Sequence, residues 1–275
     1  MINKHKTNNV VSYFAIYLAL IIVLFPILWL LMLSFKNEIQ AFSDPPLFIF
    51  KPTLENWKAI FYESDFMKSF FTSLIIASGS TVFSMLFGVT AAYGLTRIKG
   101  RIKKVILLLV ALMRTAPAMT YVIPYFLFLM FTNMLDTKVG LMMAYQALNI
   151  PMVIWLMISF FQSIPYSLEE AAEIDSATRF QIFTKINLPL VTQGLISTAI
   201  LIFIMNFNEY ILAMTLTRRE ALTAPIAITT FMAYEGTEWG KVAVSGIILL
   251  LPVVGFYFLT NKYLVSGLSA GSVKG

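Results

Sequence analysis

The 275-residue chain contains no cysteine and a single histidine, and only 12% of its residues are charged. The missing thiols exclude disulfides and thiolate metal sites. The lone histidine, His5, lies in a basic tail and reads as solvated. No metal-ligand cluster and no nucleophile–base pair falls within the apolar segments, which argues against a membrane-embedded enzyme. The nucleotide-binding pattern GxxxxGK[ST] is also absent. The one Gly-Lys pair, Gly240-Lys241, precedes Val242 and has Glu235 where the first glycine would stand. Nothing shows the alternating ten-residue pattern of a membrane β-barrel.

What the chain has in abundance is apolar side chains. They make up 59% of it, with 24 Phe, 12 Tyr and 15 Met, and mean hydropathy is +0.80. Soluble domains average about 45–50% apolar and about 25% charged, so both departures point to a membrane protein. A bilayer core about 30 Å thick needs about 20 apolar residues per helix. Six segments qualify: 11–35, 70–96, 105–131, 139–161, 190–217 and 242–264. The first is too long for the apolar core of a signal peptide, and no small-residue cleavage site follows it. The expected fold is all-α: a polytopic membrane protein with six transmembrane helices and a cytoplasmic helical segment between spans 4 and 5.

Basic residues orient the spans. With a cytoplasmic N-terminus, eleven Lys and Arg fall inside and eight outside, with Arg114 within a span. The loop TRIKGRIKK, residues 96–104, carries five of the inside set in nine residues, and short loops report orientation best. Both termini are therefore expected in the cytoplasm, with 265–275 as a cytoplasmic tail. Loops 36–69 and 218–240 then lie outside. In the first, Pro45, Pro46 and Pro52 break the chain before PTLENWKAIF. That stretch predicts a short helix entered at Thr53, with Leu54, Trp57, Ile60 and Phe61 on one face, at the headgroups or against another protein. The second loop mixes Thr, Pro, Ala and Gly with Glu235 and Glu238.

The most charged stretch between spans is EEAAEIDSATRFQIFTKINLP, residues 169–189. Pro165 ends the preceding span, and Ser167 with Glu170 predicts a capping box. Asp175 and Ser176 predict the cap of a second helix after a bend, and Arg179 falls four residues after Asp175, a spacing suited to an ion pair. Ala177, Phe180, Phe183 and Ile186 recur every third residue as an apolar stripe. Leu188-Pro189 closes the unit.

The spacing Glu170-Ala171-Ala172, Asp175-Ser176-Ala177, Ile186-Asn187-Leu188-Pro189 resembles the EAA loop of ABC importer permeases. Along most of the chain AYGLTRIKG, IPYF, LDTKVGL, FNEYILA and NKYLVSGLSAGSVKG resemble the smaller permease of maltose-type sugar importers. The family usually has Gly where Ser176 stands and Trp where Phe207 stands. A serine in a left-handed turn costs about 1–2 kcal/mol, so a capped turn without positive φ is the expectation here. The resemblance implies a coupling helix over 165–189 that docks on a separate ATPase subunit. Glu170 would pair with a basic residue there, and Phe180 and Phe183 would fill an apolar socket. It also implies a tail that reaches between ATPase subunits, a second permease, an extracytoplasmic solute-binding protein that touches the outer loops, and a bacterial inner-membrane location. No cofactor is expected in this chain, because ATP and magnesium would bind the partner ATPases.

Within the spans, Arg114 and Glu209 are the ionisable exceptions, and such groups usually face a bundle interior or water. At about 1.5 Å per residue, Arg114 is about 14 Å from its cytoplasmic end and Glu209 about 28 Å, so a direct pair is disfavoured. Arg114, Tyr121, Tyr125, Asn206, Asn208 and Glu209 are the candidate path-lining residues, with helix packing as the competing role for each. Pro26, Pro117, Pro124 and Pro252 predict kinks. The expected function is import of a carbohydrate as a non-catalytic permease subunit. A superfamily member for another solute, such as glycerol phosphate or a polyamine, is the nearest alternative, and a secondary transporter a more distant one.

Overall fold

A computed structural model of the chain describes residues 3–233 and 236–270. In chain order its helices are α1 (Asn3–Ser34), α2 (Glu38–Ala41), α3 (Glu55–Lys58), α4 (Phe66–Arg97), α5 (Arg101–Thr115), α6 (Met119–Phe131) and α7 (Lys138–Gln162). There follow α8 (Ser167–Ile174), α9 (Arg179–Gln181), α10 (Leu188–Leu190), α11 (Thr192–Phe207), α12 (Ile211–Leu216), α13 (Ala224–Ala227) and α14 (Trp239–Ala270). Single π-helical turns occupy Ala59–Glu63 and Ile182–Asn187. The all-α expectation needs one small amendment. Strands β1 (Met232–Ala233) and β2 (Gly236–Thr237) pair antiparallel, with Met232 opposite Thr237. Residues 271–275 of the expected tail lie outside the described residues, as does Glu235.

Four helices are long and apolar enough to cross a membrane: Ser12–Ser34, Phe66–Arg97, Lys138–Gln162 and Trp239–Phe256. Two further stretches qualify only as bent pairs, Arg101–Thr115 with Met119–Phe131 at 95° and Arg179–Leu190 with Thr192–Phe207 at 78°. The continuous span expected over 105–131 is thus broken. Pro117 lacks the N–H that would continue α5, and Ala116 before it turns extended, with φ −66° and ψ 129°. The span expected over 190–217 is likewise shorter, because α11 ends at Phe207 and α12 starts afresh. Pro26, Pro124 and Pro252 are carried inside their helices.

The described residues form two compact units, one within Met1–Met67 and Ala227–Leu251, the other within Lys68–Ile226 and Pro252–Gly275. In the first, α1 is apolar on every side along residues 13–28, and its side chains over 12–28 are exposed. Just past α1, Asn56 donates to the carbonyls of Ser34 at 3.2 Å and Lys36 at 2.7 Å. The buried Lys36 ammonium lies over the rings of Trp29 and Phe50, 4.9 and 5.2 Å from their centroids. A Cβ on Gly240 would strike the Asn56 side chain, so only glycine fits there. The single face expected for residues 54–61 is not formed. Thr53 does accept the Glu55 N–H at 3.2 Å, but Ile60 is fully buried while Leu54 and Phe61 are exposed. The π-turn adds a residue to that turn and rotates the stripe apart.

The second unit has two apolar cores. Val89 and Ala92 of α4, Val110 of α5, Val153, Met157 and Phe161 of α7, and Ile202 of α11 build one. Ile76, Leu129, Leu141, Tyr145, Leu212 and Leu216 build the other, from α4, α6, α7 and α12. In apolar surroundings such helices are held by close packing and by hydrogen bonds between buried polar groups. Gly88 permits the first, since a Cβ there would sit 2.6 Å from Val153. Asn206 supplies the second: it accepts from Asn149 at 2.7 Å and donates to Thr81 at 3.3 Å, tying α11 to α7 and α4.

Candidate functional site

Residues 165–190 form a helix, a tight turn, a second short helix and a π-turn. The capping box expected from Ser167 and Glu170 is absent, because α8 begins one residue earlier than the pattern implies. Tyr166 holds the cap position without a side-chain bond, and its carbonyl takes the N–H groups of Glu169 at 3.0 Å and Glu170 at 3.1 Å. Ser167 is already inside the first turn.

The end of α8 overturns the expectation for Ser176. Its φ is +61°. The Ser176 N–H returns to the Glu173 carbonyl at 3.0 Å and the Ala177 N–H to the Ala172 carbonyl at 2.9 Å. This pair of bonds defines the helix ending that demands one left-handed residue, usually glycine. Two carbonyls satisfied at once offset the serine's strain.

The second helix is capped by Thr178 rather than by Asp175 or Ser176. The Thr178 hydroxyl accepts the Gln181 N–H at 3.3 Å, and the Gln181 side chain accepts the Thr178 N–H at 2.8 Å. Arg179 pairs with Glu173 at 2.7 Å, not with Asp175. The turn at Ser176 interrupts the helix on which a four-residue spacing would align them.

The apolar stripe also divides. Phe180 is 74% exposed, whereas Phe183 packs inward against Tyr93 and Phe161, with ring centroids 4.9 and 6.4 Å away. Steps of three residues drift around a 3.6-residue helix, and the π-turn adds to the drift. Ile186 and Leu188 are half-buried, as are Ala172 and Ala177, while Ala171, Asp175 and Pro189 are exposed. The outward face therefore carries Glu170, Ile174 and Phe180. Among the described residues, no basic side chain pairs with Glu170.

The decisive interior contact belongs to Glu169, which nothing in the local sequence sets apart from Glu170. Its side chain is fully buried and meets Arg97, the last residue of α4. Arg97 Nε donates to the two carboxylate oxygens at 3.0 and 2.8 Å, and Nη2 donates to Oε1 as well. Nη2 also reaches the buried Asn187 Oδ1 at 3.5 Å, while Asn187 donates to the Ile182 carbonyl at 3.2 Å. The rings of Tyr93 and Tyr166 flank the guanidinium at 5.1 and 5.8 Å. Asn187 lay within the motif, and Arg97 counted toward orientation and fell within AYGLTRIKG without a role of its own.

The six path candidates do not converge. Arg114 lies in the last turn of α5 beside the 95° break, with its guanidinium 3.7 Å above the Trp155 ring. Tyr121 bridges that break by donating to the Met113 carbonyl at 2.9 Å. Tyr125 lines a cavity of about 350 Å³ with Pro124, Phe128 and Met143. Asn206 is spent on the interhelical bonds above. Asn208 is exposed and donates to the Ile204 carbonyl at 2.9 Å. Glu209 accepts the Leu212 and Ala213 N–H groups at 2.9 and 3.0 Å, capping α12. Arg114 and Glu209 are thus occupied separately and form no pair.

A further acid escaped the reading although its motif was noticed. Asp136 accepts backbone N–H bonds from Arg218, Arg219, Glu220 and Ala221 at 2.8 to 3.2 Å. Burial pushes its carboxyl up, but those four N–H groups prevail and hold it below the usual range. Next to it, Thr137 caps α7 by accepting the Gly140 N–H at 3.0 Å.

Comparison with known proteins places this architecture. The profile described as "Binding-protein-dependent transport system inner membrane component" matches residues 84–268, which include the whole 165–190 segment and all of the named core residues except Ile76. The chain belongs to that family. As an inner membrane component it has relatives along nearly its full length. It is 35% identical to the trehalose/maltose transport system permease MalG of Thermococcus litoralis, covering 93% of each chain. It is 32% identical to the trehalose transport system permease SugB of Mycobacterium tuberculosis, covering 96% of this chain and 98% of that one. A solved bacterial ABC transporter involved in import of the acidic polysaccharide alginate has the same fold, with a TM-score of 0.79 at 22% identity over 96% of this chain and 98% of that one.

Proposed function

We propose that this inner membrane component is one permease of a carbohydrate importer, driven by ATP hydrolysis on separate subunits. The relatives named for trehalose and maltose support the substrate class. In this reading each bent pair counts as one crossing, giving six, and both termini and the 165–190 segment face the cytoplasm. The tail 265–275 also lies there, and loops 36–69 and 218–240 face a solute-binding protein. A second permease completes the translocation path. Arg114, Tyr125 and Asn208 are this chain's best candidates to line it, since Asn206 and Glu209 are committed to helix packing and capping. ATP and magnesium stay with the ATPase partners.

The observation that carries the reading is the outward face of the helix–turn–helix. Glu170, Ile174 and Phe180 stand exposed on a segment whose other side is fixed by buried contacts. A rigid mount under one carboxylate and two large apolar groups suits a protein docking surface. Glu170 pairs with a basic residue of the ATPase, and Phe180 with Ile174 fills the adjoining apolar socket. Phe183 serves instead as the internal anchor.

The test is purification of the chain with its partners, followed by ATPase assays with a panel of binding-protein-delivered solutes. Trehalose or maltose should stimulate hydrolysis above glycerol phosphate or a polyamine. Stimulation by one of the latter alone overturns the substrate class, and failure to recover any ATPase subunit overturns the whole reading.

A further inference from the structure

Glu169 and Glu170 are adjacent, and successive helix residues point about 100° apart. One carboxylate can therefore be buried while its neighbour reaches outward, and the two cannot serve one partner. Glu169 is the inward one, and among the described residues its charged partner is Arg97, 72 residues earlier in the chain. Asn187 approaches the same guanidinium from beyond the turn at Ser176. Arg97 thus gathers both arms of the segment, α8 through Glu169 and the π-turn through Asn187. Tyr93 and Tyr166 flank it and keep solvent off the bonds. Toward α7, α8 is linked by the main chain through Pro165, while the π-turn packs Phe183 against Phe161.

We propose that Arg97, held by Glu169 and Asn187, is the link through which displacement of the 165–190 segment is passed to the end of α4. The inference rests on the reading of that segment as the ATPase-docking element. A movement imposed on the exposed face must shift a stiff unit, because Glu169 is held to the guanidinium by a fork of short bonds and Asn187 reaches the same group at 3.5 Å, in a site sheltered from water. The end of α4 then moves with it, and the basic stretch from Ile98 to Lys104 follows. Arg97 and Glu169 act here as positioning residues, working through the segment and helix end that they join.

The absence of cysteine makes a direct measurement possible. A K99C variant places one thiol just beyond α4, at an exposed position. In the purified complex with its ATPase partners, maleimide labelling of K99C is followed with and without MgATP plus vanadate. We expect the labelling rate to change about fivefold when nucleotide is trapped, the lower end of ordinary site-to-site coupling. In K99C/E169Q the change falls below about twofold, while nucleotide trapping itself persists. A purely structural role for the pair would lower assembly or trapping and leave the response of the assembled fraction intact.

An unchanged response in K99C/E169Q overturns the proposal, as does an unresponsive K99C in a complex that traps nucleotide. If E169Q does not assemble, K99C/R97K decides, because lysine keeps the charge and loses the fork that reaches two oxygens and Asn187. A reduced response there supports the link, and a full one overturns it. If no ATPase subunit accompanies the wild-type chain, the docking reading falls, and this inference falls with it.

Discussion

Arg97 and Glu169 form a buried ion pair that joins the end of α4 to the first turn of α8, with Glu169 fully enclosed and Arg97 only 19% exposed. Removing one partner of such a pair strands the other's charge, which typically costs about 3–5 kcal/mol. Glu169→Ala should therefore lower the thermal unfolding midpoint in detergent sharply. Glu170→Ala, at an exposed and unpaired position, should stay within about 0.5 kcal/mol of wild type. Equal shifts for the two variants would contradict the burial described here.

Ser176→Gly should stabilise the segment. The left-handed backbone costs a serine about 1–2 kcal/mol, and glycine's looser unfolded chain returns part of it. A net gain of about 0.5–1 kcal/mol is expected. Ser176→Val, which is both β-branched and strained at φ +61°, should do the reverse. Chemical denaturation of the three proteins compares them directly.

Asp136 gives a pH signature. Its carboxyl is held below the usual value in the folded chain, so its contribution is complete above the unfolded value of about 3.9 and fades as pH falls through the folded one. Asp136→Asn keeps a residue that tolerates the observed φ of +56° and removes the charge from the four N–H groups. The gap in unfolding midpoint between wild type and Asp136→Asn should be constant from pH 5 to 8, by that linkage, and close below about pH 4. A gap that widens on acidification would reverse the sign and refute the assignment.

Gly240→Ala should destabilise by about 1–3 kcal/mol, the usual cost of overpacking. The added methyl meets the Asn56 amide, which its bonds to Ser34 and Lys36 prevent from moving aside. Asn56→Ala should cost stability alone yet make Gly240→Ala nearly harmless in the double variant. Strict additivity in that cycle would show that the two residues do not meet.

Helix placement was legible because membrane crossing is a local property of about 20 residues, and α4, α7 and α14 lie where hydropathy puts them. The 165–189 segment was legible as a helix pair for the same reason: its turn residues and acids are close in sequence. What could not be read depended on partners far away or on one residue of phase. Nothing local distinguishes Glu169 from Glu170. Only the start of α8 at Ser167 rather than Leu168, and an arginine 72 positions earlier, decide which one turns inward. Pro117 was legible as a kink and proves a full 95° break, a difference of degree that sequence does not show because prolines are also carried inside apolar helices, as Pro26, Pro124 and Pro252 are here. Ser176 was misjudged because strain was weighed without the two carbonyls that the turn satisfies.

The uniform apolarity of α1 has a consequence for its azimuth. A helix that is greasy on one side only is set in rotation by that side, but α1 offers no such bias along 12–28. Spinning it about its own axis changes little in its affinity for hydrocarbon. Whatever fixes its angle must read relief rather than polarity, and one such relief is the stacked pair Phe25 and Trp29 near its end.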